Sequence, residues 1–145
     1  RDLHLSIRRQ RQMCIRDSNG RSGGKAIWGQ QADWVDYSGS LQGQHVGITL
    51  MAHPGNFSRC WWHARDYGLM AGNPFGPLNQ KGLRKVIKPG TALHLRYAAV
   101  IHSHPGTAQY QPAKAYQQYQ GRPASKPRLT KPVTPMDAAR IAWQS

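Results

Sequence analysis

The side chains with the greatest chemical capacity are concentrated between residues 53 and 76, in the stretch HPGNFSRCWWHARDYGLMAGNPFG. An imidazole titrates near neutral pH and transfers protons, and a guanidinium binds a carboxylate through two parallel hydrogen bonds. If residues 60–65 form a strand, His63 and Arg65 share one face and Trp62 lies on the other. Imidazole, guanidinium and carboxamide groups on one surface suit an oxygen-rich substrate.

This stretch supplies six candidate site residues. We predict His53 and His63 as the catalytic candidates, with one or the other carrying the proton if the chain catalyses a reaction. Four further side chains are predicted to bind substrate: Asn56, Trp62, Arg65 and Asp66. The alternative assignment stays open, in which each histidine is a structural hydrogen-bonding residue and the tryptophans belong to the core.

Other reactive residues give weaker patterns. His102 and His104 would present two imidazoles on one strand face, which is a usable metal geometry, but a third ligand is missing nearby and Pro105 follows at once. We therefore predict no metal site. Cys60 lacks a second thiol nearby, and a Cys–His nucleophile is left open. No phosphate-binding or dinucleotide glycine motif occurs, so the sequence identifies no cofactor.

Composition narrows the class of protein. The chain has 145 residues, 20 Lys and Arg, 6 acidic residues that are all Asp, and a net charge of +14. This length allows one domain or a piece of a larger one. The absence of an apolar run of about 18 residues excludes a multi-span membrane protein. Within residues 19–121 the basic residues are scattered, with one cluster at 81–88. Nucleic-acid binding usually needs a continuous basic stripe, so the pattern argues against that partner.

The pattern of apolar residues indicates the strands and helices that hold the candidate site residues. Alternation predicts strands at residues 32–37, 45–52 and 91–102, and short apolar runs at 60–65 and 67–71 fit further strands. Helices are predicted at 112–120 and 135–143, and residues 122–145 read as a basic, Pro-rich tail. The fold class is mainly β, an antiparallel β-sandwich-like fragment with little helix. Half of a sandwich would leave an apolar face and an open edge.

The N-terminal segment has an unusual sequence. Residues 1–17, RDLHLSIRRQRQMCIRD, resemble a translated sequencing adapter. We therefore expect residues 1–18 to be adapter-derived and disordered. On that interpretation the native start is missing, and the absence of a signal peptide carries no information on localisation. The alternative is a genuine basic arm that binds phosphate.

Four motifs in fixed order carry a family resemblance: AIWGQQADWVDYSG, VGITLMAHPGN, WHARDYGLMAGNPFG and LHLRYAAVIH. Over residues 19–121 they resemble the C-terminal part of the DUF6807 family, whose members often bear the names PmoA family or methane oxygenase. The resemblance implies a periplasmic or secreted β-sandwich-like protein linked to carbohydrate metabolism. It also implies that the N-terminal half of the same protein is a missing partner.

Together these patterns predict a fragment of an exported β-sandwich protein that binds or processes carbohydrate. Whether it is an enzyme is left open. The main alternative is a non-catalytic structural or interaction domain, in which the same aromatic residues form the core.

Overall fold

The computed structural model describes residues 13–76, 84–105 and 110–123. Within these residues the fold is mainly β, as predicted, with two antiparallel sheets. The strands of the four-stranded sheet are β1 (Met13–Asp17), β3 (Trp34–Leu41), β4 (Gln44–Ala52) and β7 (Tyr97–Pro105), and they lie in the order β1-β3-β4-β7. The strands of the three-stranded sheet are β2 (Gln30–Gln31), β5 (Trp61–Arg65) and β6 (Leu69–Asn73), and they lie in the order β2-β5-β6. Two helices complete the described elements: α1, Gly24–Ile27, and α2, Pro112–Gln120.

The strands predicted at residues 32–37 and 45–52 form an antiparallel hairpin with a short turn. Leu41 of β3 pairs with Gln44 of β4, so two residues connect the strands. Both connecting residues have positive φ, 50° at Gln42 and 78° at Gly43. Positive φ at both central positions is the geometry of a type I′ turn, which matches the twist of an antiparallel pair. This short turn fixes the register of the two longest central strands.

The alternation of β3 and β4 produces three layers. Val35 and Leu50 pair on one face of the four-stranded sheet, and Trp34 and Met51 pair on the other. The first face packs on the three-stranded sheet, in a core whose fully or nearly fully buried members are Ile15, Ile27, Ala32, Val35, Ala52, Cys60, Trp62 and Ala64. The second face is covered by α2, where Tyr116 packs with Trp34 and Met51. The four-stranded sheet therefore separates α2 from the three-stranded sheet.

The N-terminal segment differs from its prediction within the described residues. Residues 13–17 form β1, which pairs antiparallel with β3. Ile15 is fully buried, and Arg16 forms an ion pair with Asp36. A core side chain and a ladder of backbone pairs hold this segment, so it is not disordered, contrary to the expectation. Residues 1–12 lie outside the described part of the chain.

Other element boundaries also differ. The strand predicted at residues 91–102 begins later, at Tyr97, and continues to Pro105. The α2 helix coincides with the prediction for residues 112–120. The predicted helix at 135–143 and the tail after residue 123 lie outside the described residues. None of the described helices is long and apolar enough to cross a membrane.

Within the described residues, β1 and β7 are the two edge strands of the four-stranded sheet, and apolar side chains are exposed at the β7 edge. Ile101 of β7 is 82% exposed, and its cross-strand partner Ile48 is 42% exposed. Both lie on the face that packs on the three-stranded sheet, beyond the area that this smaller sheet covers.

Candidate functional site

His53 follows directly after β4, on the side of the four-stranded sheet that α2 covers. Its backbone N–H donates to the Arg96 carbonyl at 3.0 Å, and its own carbonyl accepts from the Asn56 N–H at 3.0 Å. The Gly55 N–H donates to the ring atom Nδ1 at 2.9 Å. Because Nδ1 is the acceptor, the neutral imidazole carries its proton on Nε2.

The Nε2 atom of His53 is buried and has no hydrogen-bond partner among the described residues. Burial, reinforced by the charge of Arg96, lowers the pKa of His53 below its usual value. The ring is therefore neutral near neutral pH and lies edge-on to Tyr119, with ring centroids 5.3 Å apart. His53 offers an unused N–H donor, which suits binding better than proton abstraction.

A cavity of about 880 Å³ adjoins His53. This volume lies within the usual range for small-molecule sites, about 300–1,000 Å³. The residues that line it come from the loop after β4, the segment that leads into β7, and the end of α2: His53, Gly55, Leu93, His94, Leu95, Arg96, Tyr97, Ala98, Tyr119, Arg122 and Pro123. The cavity thus combines aromatic rings with imidazole and guanidinium groups.

Asn56 positions one wall of this cavity. Its side-chain oxygen accepts from the Arg96 N–H at 2.8 Å, and its side-chain amide donates to the Arg96 carbonyl at 2.9 Å. Both polar groups of the amide are therefore used by one backbone unit. Asn56 acts as a clamp that holds the segment before β7 against the loop after β4.

His63 and Arg65 lie on the same face of β5, as the alternation predicts, and Trp62 points into the core. His63 is exposed and edge-on to Trp28, and the guanidinium carbon of Arg65 is 3.2 Å from the Trp28 ring centroid. Desolvation and the charge of Arg65 lower the pKa of His63. This group forms a patch on the outer face of the three-stranded sheet.

The structure does not bring the two predicted catalytic histidines together. His53 contacts Tyr119 of α2, whereas His63 contacts Trp28 beside β5. Both sheets lie between these positions. The sequence stretch that holds both residues therefore contributes to two separate surfaces.

Trp62 and Asp66 serve the scaffold. Trp62 is 1% exposed, and its indole N–H donates to the Ala32 carbonyl at 2.9 Å, so the core role left open by the sequence is the one observed. The Asp66 carboxylate accepts from the Gly24 N–H at 2.6 Å. The Tyr37 hydroxyl donates to the Asp66 carbonyl at 2.9 Å. Asp66 thereby fastens α1 to the turn between β5 and β6.

A buried carboxylate on β3, surrounded by hydrogen-bond donors, was not predicted from the sequence. Asp36 is fully buried. It accepts hydrogen bonds from Thr49 at 2.6 Å, Ser38 at 2.8 Å and His102 at 3.0 Å, with Arg16 at 3.1 Å. Burial alone would raise the pKa of Asp36, but these donors together lower it. The carboxylate is ionised and fully engaged, which is the signature of a structural ion.

The other reactive residues that the sequence analysis considered are His102, His104 and Cys60. His102 and His104 both lie in β7, on the side where the ring of Tyr110 stacks on His102 at 3.8 Å. Among the described residues no group of three or more His, Cys, Asp or Glu is placed to hold a metal. Burial raises the pKa of Cys60 to about 11. Its thiol is therefore neutral near neutral pH, which argues against a nucleophilic role.

Comparison with known proteins identifies a family and no activity. The model of DUF6807, described as a family of unknown function, matches residues 4–117. The match begins before β1, earlier than the predicted start at residue 19, and ends within α2. No curated protein and no solved structure matches the chain.

Proposed function

The chain belongs to DUF6807, a family of unknown function, and from the site itself we propose that it binds carbohydrate in the cavity beside His53. The observation that carries this proposal is the buried Nε2–H of His53, which has no acceptor among the described residues. A buried donor without a partner costs about 1–3 kcal/mol. A hydroxyl of a bound sugar would satisfy it.

The other walls of the cavity suit the same ligand. Tyr119 supplies aromatic surface for the apolar face of a sugar ring, and Arg96 supplies several N–H donors. The volume of about 880 Å³ accommodates a ligand of one to a few rings. His53 acts here as a donor that orients the ligand, so the proposal is recognition of a sugar and does not require turnover.

From the family resemblance we also expect that the whole protein is exported and that it contains a second half, which packs against this chain. The exposed pair Ile48 and Ile101 supports the second expectation, because such a half would cover it. An apolar groove of about 390 Å³, lined in part by Leu50 and Tyr97, lies on the same side of the sheet. A periplasmic or secreted location is the corresponding expectation for the whole protein.

Ring-conserving substitutions of the two histidines test the proposal. His53→Phe keeps the aromatic packing on Tyr119 and removes the N–H donor. We expect it to weaken binding of the best ligand from a panel of neutral and acidic methyl glycosides by about fivefold, since one hydrogen bond contributes about 1 kcal/mol. Isothermal titration calorimetry measures this change.

The matched control is His63→Phe, on the outer face of the three-stranded sheet. It should leave the dissociation constant unchanged within a factor of two or so. Equal losses in both variants, or a loss confined to His63→Phe, would contradict the assignment of the site to the His53 cavity. Failure of every glycoside to bind the unmodified protein would contradict the proposed function.

A further inference from the structure

The charged side chains described in the lining of the cavity beside His53 are all positive. Arg96 and Arg122 both line it, and its described lining residues include no Asp or Glu. Each guanidinium is permanently protonated. The cavity therefore carries two positive charges and no negative charge among its described walls.

Arg96 has no carboxylate partner within the described residues. The ion pairs found there use Arg16, Arg21, Arg59 and His102 as the cationic side chains. In the described part of the chain, the hydrogen bonds of Arg96 are all made by its backbone. Its side chain therefore has unused donors in a partly buried position, where a charge is screened less than at the open surface.

The loop after β4 is shaped to receive this guanidinium. A Cβ atom built on Gly55 would lie 2.6 Å from Nη2 of Arg96 and 3.1 Å from Nδ1 of His53. The Arg96 guanidinium therefore lies directly against Gly55, and a side chain at residue 55 would displace it. The Asn56 clamp holds the Arg96 backbone at the same place. Two neighbouring residues of one loop thus place Arg96 beside the ring of His53.

The two groups differ in the charge they present. Burial and the charge of Arg96 lower the pKa of His53, so the ring is neutral and the guanidinium is the charged donor. A guanidinium binds a carboxylate through two parallel N–H···O bonds. A neutral N–H donor suits a hydroxyl or an ether oxygen. A ligand that satisfies both carries a carboxylate next to a polyol.

We propose that the cavity selects an acidic sugar, a hexuronate whose carboxylate binds Arg96 while a ring hydroxyl accepts from His53. Arg122, which follows α2 and also lines the cavity, adds a second positive charge. This inference rests on the proposed function, because it names the class of carbohydrate bound at the same site.

The test compares each acid with its uncharged ester. Methyl glycosides of glucuronate, galacturonate and mannuronate are titrated into the full chain, each beside its methyl ester, and acetate is titrated separately. The best acid should bind at least tenfold more tightly than its ester, and added salt should reduce that preference. Acetate should not compete at equal concentration, because it lacks the hydroxyl groups.

Substitutions of Arg96 test whether its guanidinium causes the preference for the acid over the ester. Arg96→Gln should abolish the difference between acid and ester, and Arg96→Lys should restore part of it, since a lysine keeps the charge without the fork. The fold should persist in both variants, because Asn56 clamps the backbone of residue 96. Arg65→Gln, which removes a guanidinium from the outer face of the three-stranded sheet, is the matched control and should keep the full preference.

The outcomes separate the two claims. If acid and ester bind equally and both depend on His53, the acidic-sugar inference is wrong and the proposed function stands. If acetate binds as well as the uronates, the site is a simple anion site and the inference is wrong. If no glycoside, acid or ester, binds, both claims fall together.

Discussion

Replacing Trp62 by alanine is expected to lower the free energy of unfolding by about 3–5 kcal/mol. The side chain is 1% exposed and lies between the two sheets, so its removal leaves a large cavity. The substitution also removes the donor that satisfies the Ala32 carbonyl. Since small domains are stable by only about 5–15 kcal/mol, the variant should be close to unfolding at ambient temperature.

The neighbouring Trp61 gives a matched control for this loss. It has the same side chain on the same strand but is only half-buried and points to the opposite face. Trp61→Ala should cost less than half of the Trp62 value, as measured by urea unfolding. Similar losses in both variants would show that the tryptophan between the sheets does not have the packing described above.

The buried carboxylate of Asp36 should give the second large effect. Asp36→Asn is expected to cost about 1.5–3 kcal/mol, because it removes the charge that strengthens the hydrogen bonds from Thr49, Ser38 and His102. The side-chain nitrogen of the new asparagine would also face a hydrogen-bond donor, with which it cannot form a hydrogen bond. Asp33→Asn is the control, since its ion pair with Arg59 is solvent-exposed and should contribute at most about 1 kcal/mol.

The same carboxylate makes stability depend on pH with a defined sign. Burial opposes ionisation, but the hydrogen bonds from Thr49, Ser38 and His102 and the charge of Arg16 outweigh it and lower the pKa of Asp36. A lowered native pKa contributes stability above the unfolded value of about 3.9, and that contribution disappears as pH falls through the native pKa.

Urea unfolding between neutral pH and about pH 2 measures this dependence. The unmodified protein should lose stability on acidification, and Asp36→Asn should lose less over the same interval. An identical slope for the two proteins would contradict an ionised Asp36 in the native state.

Several strands and one helix could be predicted because the patterns that indicate them lie within a few neighbouring residues. Alternation identified the strands around Val35 and Leu50, and a proline followed by good helix formers identified α2. Alternation also gave the correct faces for His63 and Trp62. β1 was missed because the adapter resemblance took precedence over the apolar residue Ile15. β7 was placed too early because residues 91–96 alternate as a strand does, yet run beside the loop after β4 without forming a ladder.

The candidate site was predictable only in part. His53 was identified because imidazole chemistry is visible in the sequence. Its partners Arg96 and Tyr119 are far along the chain, and only the pairing of β4 with β7 and the packing of α2 bring them to it. No spacing rule connects them. The contact between Asp36 and His102 was missed for the same reason, since the two residues meet through the ladder of β3, β4 and β7.

Histidine side-chain NMR tests the central claim, that the cavity beside His53 binds carbohydrate. The protein contains seven histidines, whose imidazole signals can be assigned by single substitutions. On addition of the best-binding glycoside, we expect the largest shifts at His53, with its Nε2 proton protected from exchange, and little change at His63. Shifts at His63 with none at His53 would contradict the account.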